Sequence, residues 1–104
     1  MKQYRIVITE PAIEDLHAIA RYTAEELREQ DTARNLIAQL KDAVAGLSIL
    51  PARNALVSDE RLAAQGMRKL LVENYIVFYV ISEKDTSITV MRFLYARRDW
   101  EHLL

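Results

Sequence analysis

Five cations in the C-terminal part of the chain have the spacing of a phosphate-handling surface. Arg68 and Lys69 are adjacent, Arg92 follows, and Arg97-Arg98 comes directly after Tyr95 and before Trp100. In an antiparallel sheet such residues meet across strands although they are far apart in sequence. Guanidinium groups grip phosphate bidentately, and the rings of Tyr75, Tyr79 and Tyr95 offer faces on which bases stack. One reading is therefore a basic patch on an uncovered sheet face. Arg92 has a second, structural reading, because it interrupts Ile88, Val90 and Leu94. An arginine there leaves water only for a carboxylate partner or a wet surface, and Glu73, Asp99 and Glu101 are the carboxylates at hand. For Arg97-Arg98-Asp99 the structural reading is a solvated charged turn, and Leu103-Leu104 reads as an end that packs down or meets a partner.

Other chemistries find little to start from. The only glycines, Gly46 and Gly66, are too far apart for a phosphate-cradling loop. No serine lies in a nucleophile motif. Without cysteine, a thiolate nucleophile, a disulfide scaffold and a cysteine zinc site are excluded. Two histidines, His17 and His102, are too few for a multi-histidine metal site, so neither metal nor cofactor is expected. Glu10 and Glu14 share a helix face but read as a solvated first turn, and His17 reads as a half-buried or surface residue.

The elements that must position the cations follow from periodicity. Gln3–Thr9 is β-rich and reads as a strand. Thr9 is suited to cap a helix with Pro11 in its first turn, and Glu10, Glu14 and Asp15 carry the charge its dipole favours. Ile13, Leu16, Ala20, Thr23 and Leu27 recur at helical spacing, with Ile19 and Tyr22 widening the stripe. Asp31 or Thr32 can cap a second helix with a stripe of Ala33, Leu36, Ile37, Leu40, Val44 and Leu47, stopped by Pro51. The short link at about Glu29 to Thr32 predicts a helical hairpin. Residues 52–65 read as loop with a helical turn at Asp59–Ala64. Then come three β-like runs, Met67–Glu73, Tyr75–Ser82 and Ser87–Tyr95, joined by hairpin-length links. A short terminal helix can begin near Arg98 or Asp99.

The order β-α-α-β-β-β predicts an α+β fold: an N-terminal strand and a two-helix hairpin packed on a small antiparallel sheet. At 104 residues the chain is expected to form one domain, residues 1–104, with a core that needs no staples. The composition, 51% hydrophobic and 28% charged, is that of an ordinary globular protein. No apolar run approaches the ~18 residues of a membrane span, and no signal peptide is read, so a cytoplasmic protein is expected. A formal charge of −1 argues against a surface that grips nucleic acid all over. Residues 1–65 hold 8 basic and 10 acidic groups, and residues 66–104 hold 6 and 5, so the basic excess is local.

Taken in order along the chain, several segments resemble the RelE/ParE superfamily of bacterial toxins. They are Tyr4-Arg5-Ile6-Val7-Ile8, Ala12-Ile13-Glu14-Asp15-Leu16 with Ile19 and Tyr22, and Leu47 with Pro51-Ala52-Arg53. Gly66-Met67-Arg68-Lys69-Leu70, Asn74-Tyr75-Ile76-Val77-Phe78-Tyr79 and Arg92-Phe93-Leu94-Tyr95-Ala96-Arg97-Arg98-Asp99 complete the match. The resemblance implies the toxin of a type II toxin–antitoxin pair, with a cognate antitoxin as partner and a helical hairpin against a small sheet as fold. The superfamily splits by mechanism. The RelE-like branch cleaves mRNA on the ribosome with basic residues and no metal, whereas the ParE-like branch inhibits DNA gyrase. By resemblance Lys69 and Arg97 match catalytic or RNA-orienting positions of the nuclease branch, with Arg92 and Arg68 as supporting phosphate contacts. Arg68, Tyr95, Arg98 and Trp100 are the candidates for contacting RNA or a protein target. Two departures favour the ParE-like branch. Ile76 stands where the nucleases often carry an arginine, and an apolar side chain cannot stabilise charge on a scissile phosphate. The C-terminal tyrosine that often serves as base is missing, leaving His102 or Tyr95 to handle a proton. The oligomeric state is left open.

Overall fold

The computed structural model describes every residue except Met1, Asp99, Glu101 and His102. Strand β1 (Arg5–Ile8) leads into helix α1 (Glu10–Arg21), a π-helical turn (Tyr22–Glu26) and helix α2 (Gln30–Gly46). A 3-10 turn (Pro51–Arg53) and the short helix α3 (Glu60–Ala64) precede β2 (Arg68–Val72), β3 (Tyr75–Ser82) and β4 (Ser87–Tyr95). The strands form one sheet in the order β1-β4-β3-β2. The α+β class and the helical hairpin are as the sequence predicts. The late strands form the expected antiparallel meander, while β1 joins it in parallel to β4, with Arg5 opposite Ser87 and Ile8 opposite Val90. The sheet is therefore mixed.

Thr9 fixes how α1 leaves the sheet. Its hydroxyl accepts from the Ala12 N–H and faces the Val90 and Met91 carbonyls, to which it donates at 3.0 Å. Hooked to β4 in this way, α1 buries Ala12, Leu16, Ile19 and, one turn on, Thr23. The stripe is rotated from the one periodicity suggests, and Ile13 and Leu27 are exposed. No side chain caps α2, which starts at Gln30, so neither Asp31 nor Thr32 takes the expected role. Asp59 does cap α3, accepting from the Leu62 N–H at 3.0 Å.

Both faces of the sheet are covered. On one, α1 and α2 pack Leu16, Ile19, Leu40 and Val44 on Val77, Val90 and Phe93. On the other, Val57, Leu62 and Met67 cover Ile76, Phe78 and Leu94, joined by Trp100, Leu103 and Leu104. This second layer accounts for the apolar character of both sides of β3. The expected terminal helix falls partly outside the described residues. Arg98 N–H donates to the Tyr95 carbonyl and Leu103 N–H to that of Trp100, which lies in a 3-10 turn.

Candidate functional site

β1 accompanies β4 only as far as Val90, so the edge of β4 from Met91 onward lacks a strand neighbour on that side. A β-bulge falls at the same place: Phe78 faces Arg92 and Tyr79 faces Val90, leaving Met91 as the extra residue. Asp15, one turn and a half into α1, serves this edge. Its Oδ2 accepts the Phe93 N–H at 3.1 Å and the Arg92 Nε–H at 2.6 Å, and its Oδ1 accepts from Arg92 Nη2 at 2.8 Å. Arg92 Nη1 also donates to the Leu103 carbonyl at 3.1 Å. The pair is mostly enclosed, with 23% of the Arg92 side chain and 15% of the Asp15 side chain exposed. The Asp15 hydrogen bond stabilises the guanidinium further, raising its pKa above the ordinary arginine value against the opposing effect of burial.

Among the described residues the partner of Arg92 is thus Asp15, and not Glu73. Glu73 occupies the β2–β3 turn at φ +55°, and Asp99 and Glu101 lie outside the described residues. Sequence spacing could not reveal the pair, because its two residues are brought together only when α1 docks on the β4 edge.

The other candidate cations separate into two kinds. Arg68 is held internally, its Nη1 donating to the carbonyls of Asn54 at 2.6 Å and Ala52 at 3.3 Å. Lys69, Arg97 and Arg98 are exposed, and the ion pairs among the described residues include none of them. Lys69 lies opposite Phe78, which lies opposite Arg92, so Lys69 and Arg92 belong to one row across the sheet. Arg97 is beyond the end of β4. Trp100 packs on Phe78 with ring centroids 4.9 Å apart and a tilt of 45°, as part of the second apolar layer. His102 lies outside the described residues, and His17 is exposed.

Tyr95 and Arg98 border a cleft of about 660 Å³ between the connected end of the helical hairpin and the end of the sheet where β3 begins and β4 stops. Lys69, Arg68, Arg92 and Arg97 do not line it. Tyr75 and Tyr95 meet edge to face in it with centroids 5.7 Å apart, and Tyr22 reaches it from the π-helical turn. Burial, with the nearby phenols of Tyr95 and Tyr22, raises the Tyr75 pKa above that of a free tyrosine. The periodicity places Leu27 on the apolar stripe of the first helix and Tyr22 at its widened margin. They are 51% and 54% exposed and form the cleft's helical wall. Their common spacing with the buried residues concealed this role.

This arrangement, a strand, a helical hairpin on one face of the sheet and a three-strand meander, recurs in solved structures. The chain resembles a chain of the chromosomal ParDE toxin–antitoxin system of P. aeruginosa, with a TM-score of 0.74 at 20% identity, covering 91% of this chain and 98% of that one. It also resembles a chain of the RelBE2 toxin–antitoxin complex of Mycobacterium tuberculosis, with a TM-score of 0.65 at 21% identity, covering 91% and 93%. These likenesses show a shared fold. Residues 6–100 match the family described as ParE toxin of type II toxin–antitoxin system, parDE, and the chain belongs to that family. No curated protein matches the sequence.

Proposed function

We propose that this toxin acts by binding a protein target, as a ParE-like inhibitor of DNA gyrase, and that a cognate antitoxin neutralises it. The reading is carried by the fate of two positions, one a supporting phosphate contact of the nuclease reading and the other the place where such nucleases often carry an arginine. Arg92 spends its charge on Asp15, and Ile76 is buried in the apolar layer with Phe78 and Leu94. A phosphoryl-transfer site needs preorganised cations facing the place where charge develops, and neither residue offers one. The family and the two toxin–antitoxin structures of like fold support the antitoxin partner.

The alternative is a metal-independent mRNA endonuclease on the ribosome, built on the exposed Lys69 and Arg97. Expression without antitoxin separates the two. Gyrase inhibition predicts an SOS response, filamentous cells and loss of supercoiling activity with purified components. Growth inhibition by the Lys69→Ala/Arg97→Ala double variant is then within about twofold of the parent, since surface cations away from an interface core contribute little. A rapid stop of translation with mRNA cut in the ribosomal A site, abolished in that variant, would establish the nuclease instead.

A further inference from the structure

The cleft at the connected end of the helical hairpin supports an inference that rests on this binding mechanism and concerns where the target is held. Its floor is apolar, formed by Ile19 and Phe93, and its helical wall is built from Leu27 and Leu36. Tyr22, Leu27 and Tyr95 are 54%, 51% and 40% exposed. Large apolar side chains gathered around one concavity mark a contact surface more strongly than the same residues scattered. Tyrosine and arginine are also the types that most often anchor interfaces.

Charge then narrows the occupant. Asp15, the carboxylate that borders the cleft, is neutralised by Arg92. What remains are neutral polar groups, three tyrosines with Thr23, Thr32 and Asn74, and one charge, the Arg98 guanidinium, which forms no ion pair among the described residues. Arg98 is held at the rim by its backbone N–H bond to the Tyr95 carbonyl, and the adjoining Ala96 N–H is bonded to Asn74. Such a set favours an anionic, acceptor-bearing group beside an apolar one. A nucleic-acid backbone would call for several cations along a track, and this cleft supplies one. Its volume suits one or two anchoring side chains rather than a long helix lying in a groove.

We infer that this cleft is the docking site for the toxin's protein target, receiving a segment that presents an aliphatic or aromatic side chain beside a carboxylate. Leu27, Tyr95 and the apolar floor take the first group, and Arg98 with the phenols takes the second. The antitoxin is the competing occupant.

The test uses the full chain with purified gyrase and, separately, with the co-expressed antitoxin. Tyr95→Ala and Arg98→Glu are compared with Arg98→Lys, with thermal melts followed by circular dichroism to establish folding. The expected result is a rise of at least about tenfold in the toxin concentration needed for half-inhibition of supercoiling, in both Tyr95→Ala and Arg98→Glu. Arg98→Lys should be affected several-fold less, because it keeps the charge, and antitoxin affinity should be retained. Undiminished gyrase inhibition by folded Tyr95→Ala and Arg98→Glu would overturn the inference and leave the proposed function standing. Loss of antitoxin binding with full gyrase inhibition would assign the cleft to the antitoxin and also overturn it. A parent protein that leaves gyrase untouched would overturn both.

Discussion

Asp15 satisfies three donors with two oxygens: the Arg92 Nε–H, the Arg92 Nη2–H and the Phe93 backbone N–H. An enclosed ion pair is not in itself a large source of stability, since desolvation offsets much of its attraction. Removing one partner is costly because the other charge stays enclosed and unpaired. Asp15→Asn should therefore destabilise the protein by about 2–3 kcal/mol, allowing for the 23% exposure of Arg92, and lower the melting temperature by roughly 10 °C. Thermal denaturation measures this directly, and a change of less than about 0.5 kcal/mol would show that the contact is dispensable. The sequence correctly marks Arg92 as needing a carboxylate. It does not indicate which one, since the complement lies on a helix whose approach to the sheet is set by Thr9 and not by anything near Arg92.

At the scale of elements, the connection between α2 and β2 is tied down through the core. The Tyr79 hydroxyl donates to the Pro51 carbonyl at 2.6 Å and accepts from Asn54 Nδ2 at 3.1 Å, while Arg68 holds the Asn54 and Ala52 carbonyls. A segment without regular periodicity thereby gains a fixed course over the end of the sheet. Burial raises the Tyr79 pKa above the usual tyrosine value, with the Asn54 hydrogen bond and nearby Arg68 and Arg53 pulling it down. A phenol with a raised pKa in the folded state contributes its stability fully below pH ~10 and loses it as pH rises through the folded-state value. Tyr79→Phe should cost about 1–2 kcal/mol at pH 7, leaving the Pro51 carbonyl short of a donor. The difference from the parent should shrink above pH ~10 in denaturant titrations. A gap that stays constant there would mean that the phenol is not held neutral by the fold.

The strands β3 and β4 were legible to the residue, because turn chemistry at Glu73-Asn74 and Glu83 to Thr86 brackets runs with strong β character. The direction of β1 was not legible, since alternation of side chains has the same period in parallel and antiparallel strands. The phase of α1 was misread for a related reason: its apolar residues extend beyond the face that packs, and Tyr22 and Leu27 are the surplus. Half of the cleft was accordingly visible as Tyr95 and Arg98, and the helical half was not.

For the molecule as a whole, the decisive feature is that the sheet is covered on both sides. The second layer includes Trp100, which makes the surface where a RelE-like site is expected partly an apolar interior. Trp100→Ala should cost about 2 kcal/mol, less than for a fully buried tryptophan because the side chain is only partly enclosed. It should still melt in a single transition and, at a temperature where it is folded, inhibit growth like the parent. Toxicity lost by a folded Trp100→Ala protein would make the ring a contact residue rather than a piece of the interior. The sequence reads Trp100 as a candidate contact for RNA or a protein target, because nothing in its neighbours announces that α3 and Leu103-Leu104 pack around it.

Because Arg5 to Ile8 lie alongside Ser87 to Val90, the earliest strand to be translated is seated by the latest one. Until that final ribbon emerges from the ribosome, α1 has neither its Thr9 anchor on Val90 nor its Asp15 anchor on Phe93. Long-range closure of this kind is slow compared with local helix formation. A nascent copy thus carries no finished architecture through most of its synthesis, and an interrupted translation product ending before residue 87 would be harmless debris instead of a shortened poison.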